Sequence, residues 1–206
     1  MLTKINRKRS FKVNTRKLVL TAVLGAIASV MMMEPFSFPI PIMPSYIKMD
    51  FSEVPALIAS FSMGPISGAA VCLIKNVINA FFSKTGCIGE LSNFLLGVAF
   101  VVPAGYVYKF KKNRTGAVIA SITGSVTMAL TGVATNYFII FPLFSKYLMP
   151  IESIIGMYQK IMPSVDGMLM CLLIFNLPFT LVKGLIDSAL TFLIYKRISP
   201  LIKGKK

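Results

Sequence analysis

TGAVIASITGSVTMALTGVATNYFIIFPLFS, residues 115–145, runs for 31 residues without one Asp, Glu, Lys or Arg. A helix rises about 1.5 Å per residue, so roughly the first 24 of them suffice to cross the hydrocarbon of a bilayer. Similar runs lie on either side: 18–33, 54–63, 66–82 (interrupted by Lys75), 88–108 and, near the end, 175–195. Gly64-Pro65 marks a turn between the second and third of the six, and a helical piece is expected around 151–162. The whole chain has 206 residues, 55% apolar and 14% charged, with a mean hydropathy of +0.75. Soluble domains carry nearer a quarter charged residues. The expectation is an all-α polytopic protein: a single membrane domain over 1–206, with a six-helix bundle at 18–196 between a basic segment, 1–17, and a basic tail, 197–206.

Charge then orients the bundle. Seven Lys or Arg precede the first span, Lys109, Lys111, Lys112 and Arg114 follow the fourth, and Lys196, Arg197, Lys203, Lys205 and Lys206 close the chain. With both termini cytoplasmic, 16 of the 22 basic residues fall inside and four, Lys48, Lys84, Lys146 and Lys160, outside. Glu34, Asp50, Glu53, Glu152 and Asp166 fall on or near the outside. The net charge of +15 therefore points to anionic lipid rather than to nucleic acid. MMMEPFSFPIPIMPSY (31–46) offers no small-x-small cleavage site, so the first span reads as retained in the cell membrane. Pro35, Pro39, Pro41 and Pro44, with Pro55 at the exit, make the segment after it an extended extracellular lid rather than a helix.

Absences narrow the function. The chain has no His, which removes the usual general base and the common zinc sites. Its three cysteines are scattered and indicate no disulfide framework. No G-x-x-x-x-G-K-[ST] loop is present, so ATP would have to be hydrolysed by other subunits. Neither a metal nor a catalytic cofactor is expected, and a membrane enzyme or a channel is a poor fit.

Polar groups within the spans are costly in lipid and so mark function. They are Lys75, Asn76, Asn79, Glu90, Asn93, Asn136, Asn176, Lys183 and Asp187. Two readings stand for Lys183: an ion pair with Asp187 one turn on, or a place in a ligand cavity. Lys75 either snorkels or pairs with Glu90. Glu90 and Asn93, Asn136, and Thr180 and Lys183 come from three spans at similar depth, under the lid. Amides and hydroxyls outnumber charges there, so a largely neutral ligand fits. Tyr46, Phe51, Tyr137 and Phe138 are expected to supply flat walls. In the first span Ala22 and Ala26, with Gly25 and Ser29, place small residues four apart, as helix docking needs.

Five segments in order, PIPIMPSYIKMDFSEVPALIASFSMGPISG (39–68), LIKNVINAFFS (73–83), GELSNFLLG (89–97), TNYFIIFPLF (135–144) and PFTLVKG (178–184), carry a resemblance over residues 15–200. The chain resembles the substrate-binding (S) components of energy-coupling factor vitamin transporters, most of all the riboflavin branch. The resemblance implies capture of riboflavin from outside and association with a transmembrane coupling protein and two ABC-type ATPase subunits. It implies coupling-protein contacts at Ala22 and Ala26, and riboflavin contacts at Gly89, Asn93, Asn136 and Lys183. The lid around Ile47 and Met49 would close over the ring. Riboflavin members usually carry Asn where this chain has Thr180, so Asn176, one turn earlier, is expected to stand in for that amide. A different vitamin in the same architecture is the alternative that this departure leaves open.

Overall fold

The computed structural model of the protein describes residues 15–203. Of the basic segments expected at 1–17 and 197–206, residues 1–14 and 204–206 lie outside the described residues. Helices succeed one another along the chain, broken by one small hairpin. Helix α1 spans Thr15–Met32. Strands β1 (Phe38–Pro39) and β2 (Lys48–Met49) pair antiparallel, Phe38 opposite Met49. Helices α2 (Glu53–Met63) and α3 (Pro65–Ala80) come next, then α4 (Ile88–Phe110) and α5 (Arg114–Thr135). A π-helical turn, Asn136–Ile140, leads straight into α6, Phe141–Tyr147. After α7 (Ile151–Gln159) and α8 (Met168–Cys171), a second π-helical turn, Leu172–Asn176, runs into α9, Leu177–Lys203.

Among the described residues, four helical stretches are long and apolar enough to cross a membrane: Thr15–Met32, Ile88–Phe110, Arg114–Tyr147 and Met168–Tyr195. The last of these begins seven residues before the expected 175, because the chain enters the helix through α8 and the π-turn. Helices α2 and α3, at 11 and 16 residues, fall short of the roughly 20 that a span needs. Of the 11 residues in α2, nine are buried, so the helix is enclosed by protein and not by lipid. Gly64, at φ +107°, makes the reversal from α2 into α3, a backbone angle that a side chain would strain.

Two apolar cores divide the interior. In the first, Leu57, Val71, Phe100, Val101 and Met128 join α2, α3, α4 and α5, with Leu24 and Ala28 of α1. Small residues let these helices approach closely: a Cβ on Gly124 would meet the Phe100 carbonyl oxygen at 2.6 Å, and one on Gly25 would meet Ile74 at 2.7 Å. The small-residue pattern of α1 is thus split. Gly25 and Ser29 are buried, whereas Ala22 and Ala26 stay exposed on the outer side. In the second core, Met43 of the 33–52 segment packs with Ile140, Phe141 and Phe144, with Ile154 and Tyr158 of α7, and with Leu172 and Phe175.

Candidate functional site

A pocket of about 840 Å³, its mouth included, opens where the two cores meet. One wall comes from the loop and hairpin (Tyr46, Ile47, Lys48), with Glu53 at the start of α2. Helix α4 and the turn before it give Thr85, Gly89, Ser92, Asn93 and Leu96. Met128 of α5 is joined by Asn136, Ile140, Phe141 and Phe144. The closing stretch contributes Asn176, Phe179, Thr180 and Lys183.

Both π-turns deliver an amide to this pocket. Asn136 opens the first and Asn176 closes the second. In each, the N–H just after the turn reaches back five residues, from Phe141 to the Asn136 carbonyl and from Leu177 to that of Leu172. The extra residue rotates the next helical segment relative to a regular helix, and such turns recur at functional sites. One consequence corrects the sequence expectation for the aromatic walls. Tyr137 and Phe138 point away from the pocket, Phe138 being 73% exposed, while Phe141, Phe144 and Phe179 line it. The spacing 136, 140, 141, 144 tracks one helical face and is the signal that could have found them.

The hydrogen-bonding state of each polar group fixes what remains for a ligand. Ser92 donates to Asn136 Oδ1 at 3.3 Å. Tyr158 of α7 donates to Asn176 Oδ1 at 2.6 Å and itself accepts from Tyr46 at 3.1 Å. Burial pushes the Tyr158 phenol up to about 12, against the pull of its bonds to Tyr46 and Asn176, and burial likewise raises Tyr46. Both phenols keep their protons across the physiological range. Asn93 Oδ1 is buried and has no partner among the described residues. The pocket thus offers amide nitrogens from Asn136 and Asn176 and the ammonium of Lys183 as donors, and one amide oxygen, Asn93, as acceptor.

Lys183 answers the question left open by the sequence, and corrects half of it. It lines the pocket, but its ion-pair partner is Asp50, at 2.8 Å, rather than Asp187. Both Asp187 oxygens are buried without a partner among the described residues. Burial pushes the Asp50 carboxyl up, but the charges of Lys183 and Lys75 and the bonds from Lys183 and Ser52 outweigh it, leaving Asp50 below the usual carboxylate range. Lys75 is likewise not paired with Glu90. Fully buried, it donates to Glu53 and, at 2.6 Å, to Ser52, whose hydroxyl donates in turn to Asp50. One network therefore joins α9, the loop, α2 and α3. Asp50 could have been found from the sequence, since a lysine placed in a cavity demands a counter-charge.

Two residues expected at the site stand apart from it. Glu90 accepts from Ser83 at 2.6 Å and from Thr85 at 3.3 Å, and does not line the pocket. Met49 is buried in the hairpin, behind the wall that its neighbour Ile47 forms. Asn76 and Asn79, costly in a span, serve the fold. Asn79 donates to the Ser29 carbonyl at 3.1 Å and so ties α3 to α1, and Asn76 donates to the Cys72 carbonyl. At the pocket's outer edge Glu34 accepts from Lys48 and, at 3.3 Å, from Lys84. These two bonds, Lys48 first, hold the exposed Glu34 carboxyl below its usual range.

Comparison with known proteins gives consistent relatives. Residues 16–195 match the family described as ECF transporter, substrate-specific component. The riboflavin transporter RibU of Staphylococcus aureus (strain TCH60) is 31% identical over 204 residues, 97% of this chain and 99% of that protein. The riboflavin transporter FmnP of Bacillus subtilis (strain 168) is 30% identical, covering 93% of this chain and 96% of that one. A solved S component of a bacterial ECF transporter superposes with a TM-score of 0.72 at 31% identity, over 92% of this chain and 98% of that chain.

Proposed function

The chain belongs to the substrate-specific components of ECF transporters, and from that premise we propose that its pocket captures riboflavin for uptake into the cell. Its part is binding and transport, not catalysis. The observation that carries the reading is the convergence of Asn93, Asn136, Asn176 and Lys183 on one pocket. Riboflavin's ring edge carries two carbonyls flanking an N–H, so it needs donors on either side of an acceptor. Three nitrogen donors and the unpartnered Asn93 oxygen supply that inventory. Gly89 lets the Thr85 side chain pack against the start of α4, where a Cβ would meet Thr85 Oγ1 at 2.7 Å. Leu96, Met128 and Phe179 offer apolar surface to the flat ring. Thr180 lends a hydroxyl of either polarity to the ring edge or ribityl chain. Leaving any of these buried polar groups unpaired costs about 1–3 kcal/mol, which is how an analogue without the matching atoms is refused.

The membrane arrangement completes the proposal. Residues 1–206 form one domain of the cell membrane, with six crossing segments and both termini in the cytoplasm. The segment 34–52 acts as an extracellular lid, with Ile47 closing over the ring and Met49 packed behind it. The short helices α2 and α3 make up their crossing inside the protein, flanked by the longer helices. The partners are a transmembrane coupling protein, which docks on the exposed Ala22 and Ala26 of α1, and two ABC-type ATPase subunits that supply the energy. Purification from riboflavin-supplied cells tests the assignment of ligand. The protein should emerge yellow, with its flavin fluorescence quenched; a folded, colourless protein that does not quench added riboflavin would refute it.

A further inference from the structure

An amide in a binding pocket presents two donors or one acceptor, depending on which way round it stands, and its own shape favours neither. Asn176 is held one way round from behind. Its oxygen accepts the Tyr158 proton at 2.6 Å, and its nitrogen has no partner among the described residues. The chain of bonds runs one way, from Tyr46 through Tyr158 to Asn176. The Tyr158 hydroxyl already accepts from Tyr46 at 3.1 Å, so its single proton is directed at Asn176. Tyr158 is fully buried, with the Phe175 ring at 5.3 Å, and lies outside the pocket lining.

We propose that Tyr158 is a specificity-determining positioning residue: it locks the Asn176 amide with its nitrogen toward the ligand, so that the site selects a ring edge that presents an acceptor there. The inference rests on the riboflavin reading of the pocket. It also explains how the pocket keeps its selectivity with Thr180 in place of an amide. A hydroxyl donates or accepts as its partner requires and cannot by itself tell a carbonyl from an N–H. The fixed amide one turn earlier can. Tyr46 belongs to the loop, so the polarity of Asn176 is set most firmly when the loop is seated against α7.

Riboflavin titration of the solubilised full chain, monitored by flavin fluorescence, tests this with Tyr158→Phe, Asn176→Ala and the double variant. Tyr158→Phe keeps the ring and removes only the hydroxyl, and should weaken binding about tenfold. With Asn176→Ala in place, the same change should cost less than about twofold, because nothing is left to orient. The near-ultraviolet flavin band should shift in Tyr158→Phe relative to the parent protein. An undiminished tenfold loss in the Asn176→Ala background would mean that Tyr158 only packs, and would overturn the inference; so would unchanged binding in Tyr158→Phe. Should Tyr158→Phe fail to fold, Asn176→Asp decides. A carboxylate can only accept, so it should bind riboflavin more weakly than Asn176→Ala, and equal affinity would overturn the proposal. If the parent protein does not bind riboflavin at all, the functional reading has failed instead.

Discussion

The two cores spend their polar residues differently. Around the first, the charges other than Asp187 are paired with one another: Lys75 with Glu53 and Ser52, and Asp50 with Lys183 and Ser52. Around the second, the amides are only half satisfied. The Asn136 oxygen is bonded by Ser92 of the pocket wall and the Asn176 oxygen by Tyr158 from behind, and Asn93 keeps a buried oxygen without a partner among the described residues. A paired charge in a dry interior holds elements together, because removing one partner strands the other. A half-satisfied amide at a cavity is a cost that a ligand can relieve. The first arrangement supports the fold and the second reads the ligand.

That contrast breaks most visibly at Lys75. Lys75→Met strands Glu53 and should lower stability by about 3–5 kcal/mol, seen as a large fall in the thermal midpoint in detergent. A midpoint within a degree or two of the parent would mean that the buried pair does not hold α2 to α3. Next comes Asn93→Leu, for which the effect should fall on the ligand: about 10- to 100-fold weaker riboflavin binding, with thermal stability of the empty protein equal or higher. Lower stability with unchanged affinity would reverse the roles given to the two cores. The smallest effect belongs to Phe138→Ala. This ring is 73% exposed, so affinity should change by less than about twofold, while a loss like that of a pocket residue would return Phe138 to the wall.

The fold was legible wherever the helices are regular. Apolar runs and the Gly64-Pro65 turn mark every span but the last within a few residues, because apolar length alone decides that a segment is a helix in lipid. The convergence of Asn93, Asn136, Thr180 and Lys183 was also readable, from their depth along three spans. What escaped has definite physical causes. Closeness to Asn136 suggests Tyr137 and Phe138 for the pocket, but one helical face carries 136, 140, 141 and 144, so Phe141 and Phe144 line it instead. A counter-charge for Lys183 is demanded by its place in a cavity, but sequence distance favours Asp187, one turn away, over Asp50, which lies 133 positions earlier and reaches it through the loop. Tyr158, on a short helix outside the spans, carries no sequence mark that separates it from the other aromatic residues.

The central claim is that the half-satisfied amides of the second core and Lys183 form one riboflavin site. Equilibrium titration of the solubilised, ligand-free protein with riboflavin, alongside the Asn93, Asn136 and Lys183 variants, tests it most directly. The claim predicts saturable quenching of flavin fluorescence by the parent protein with one ligand per chain, weakened in every variant. Quenching that never saturates, or that survives loss of all three side chains, would contradict it.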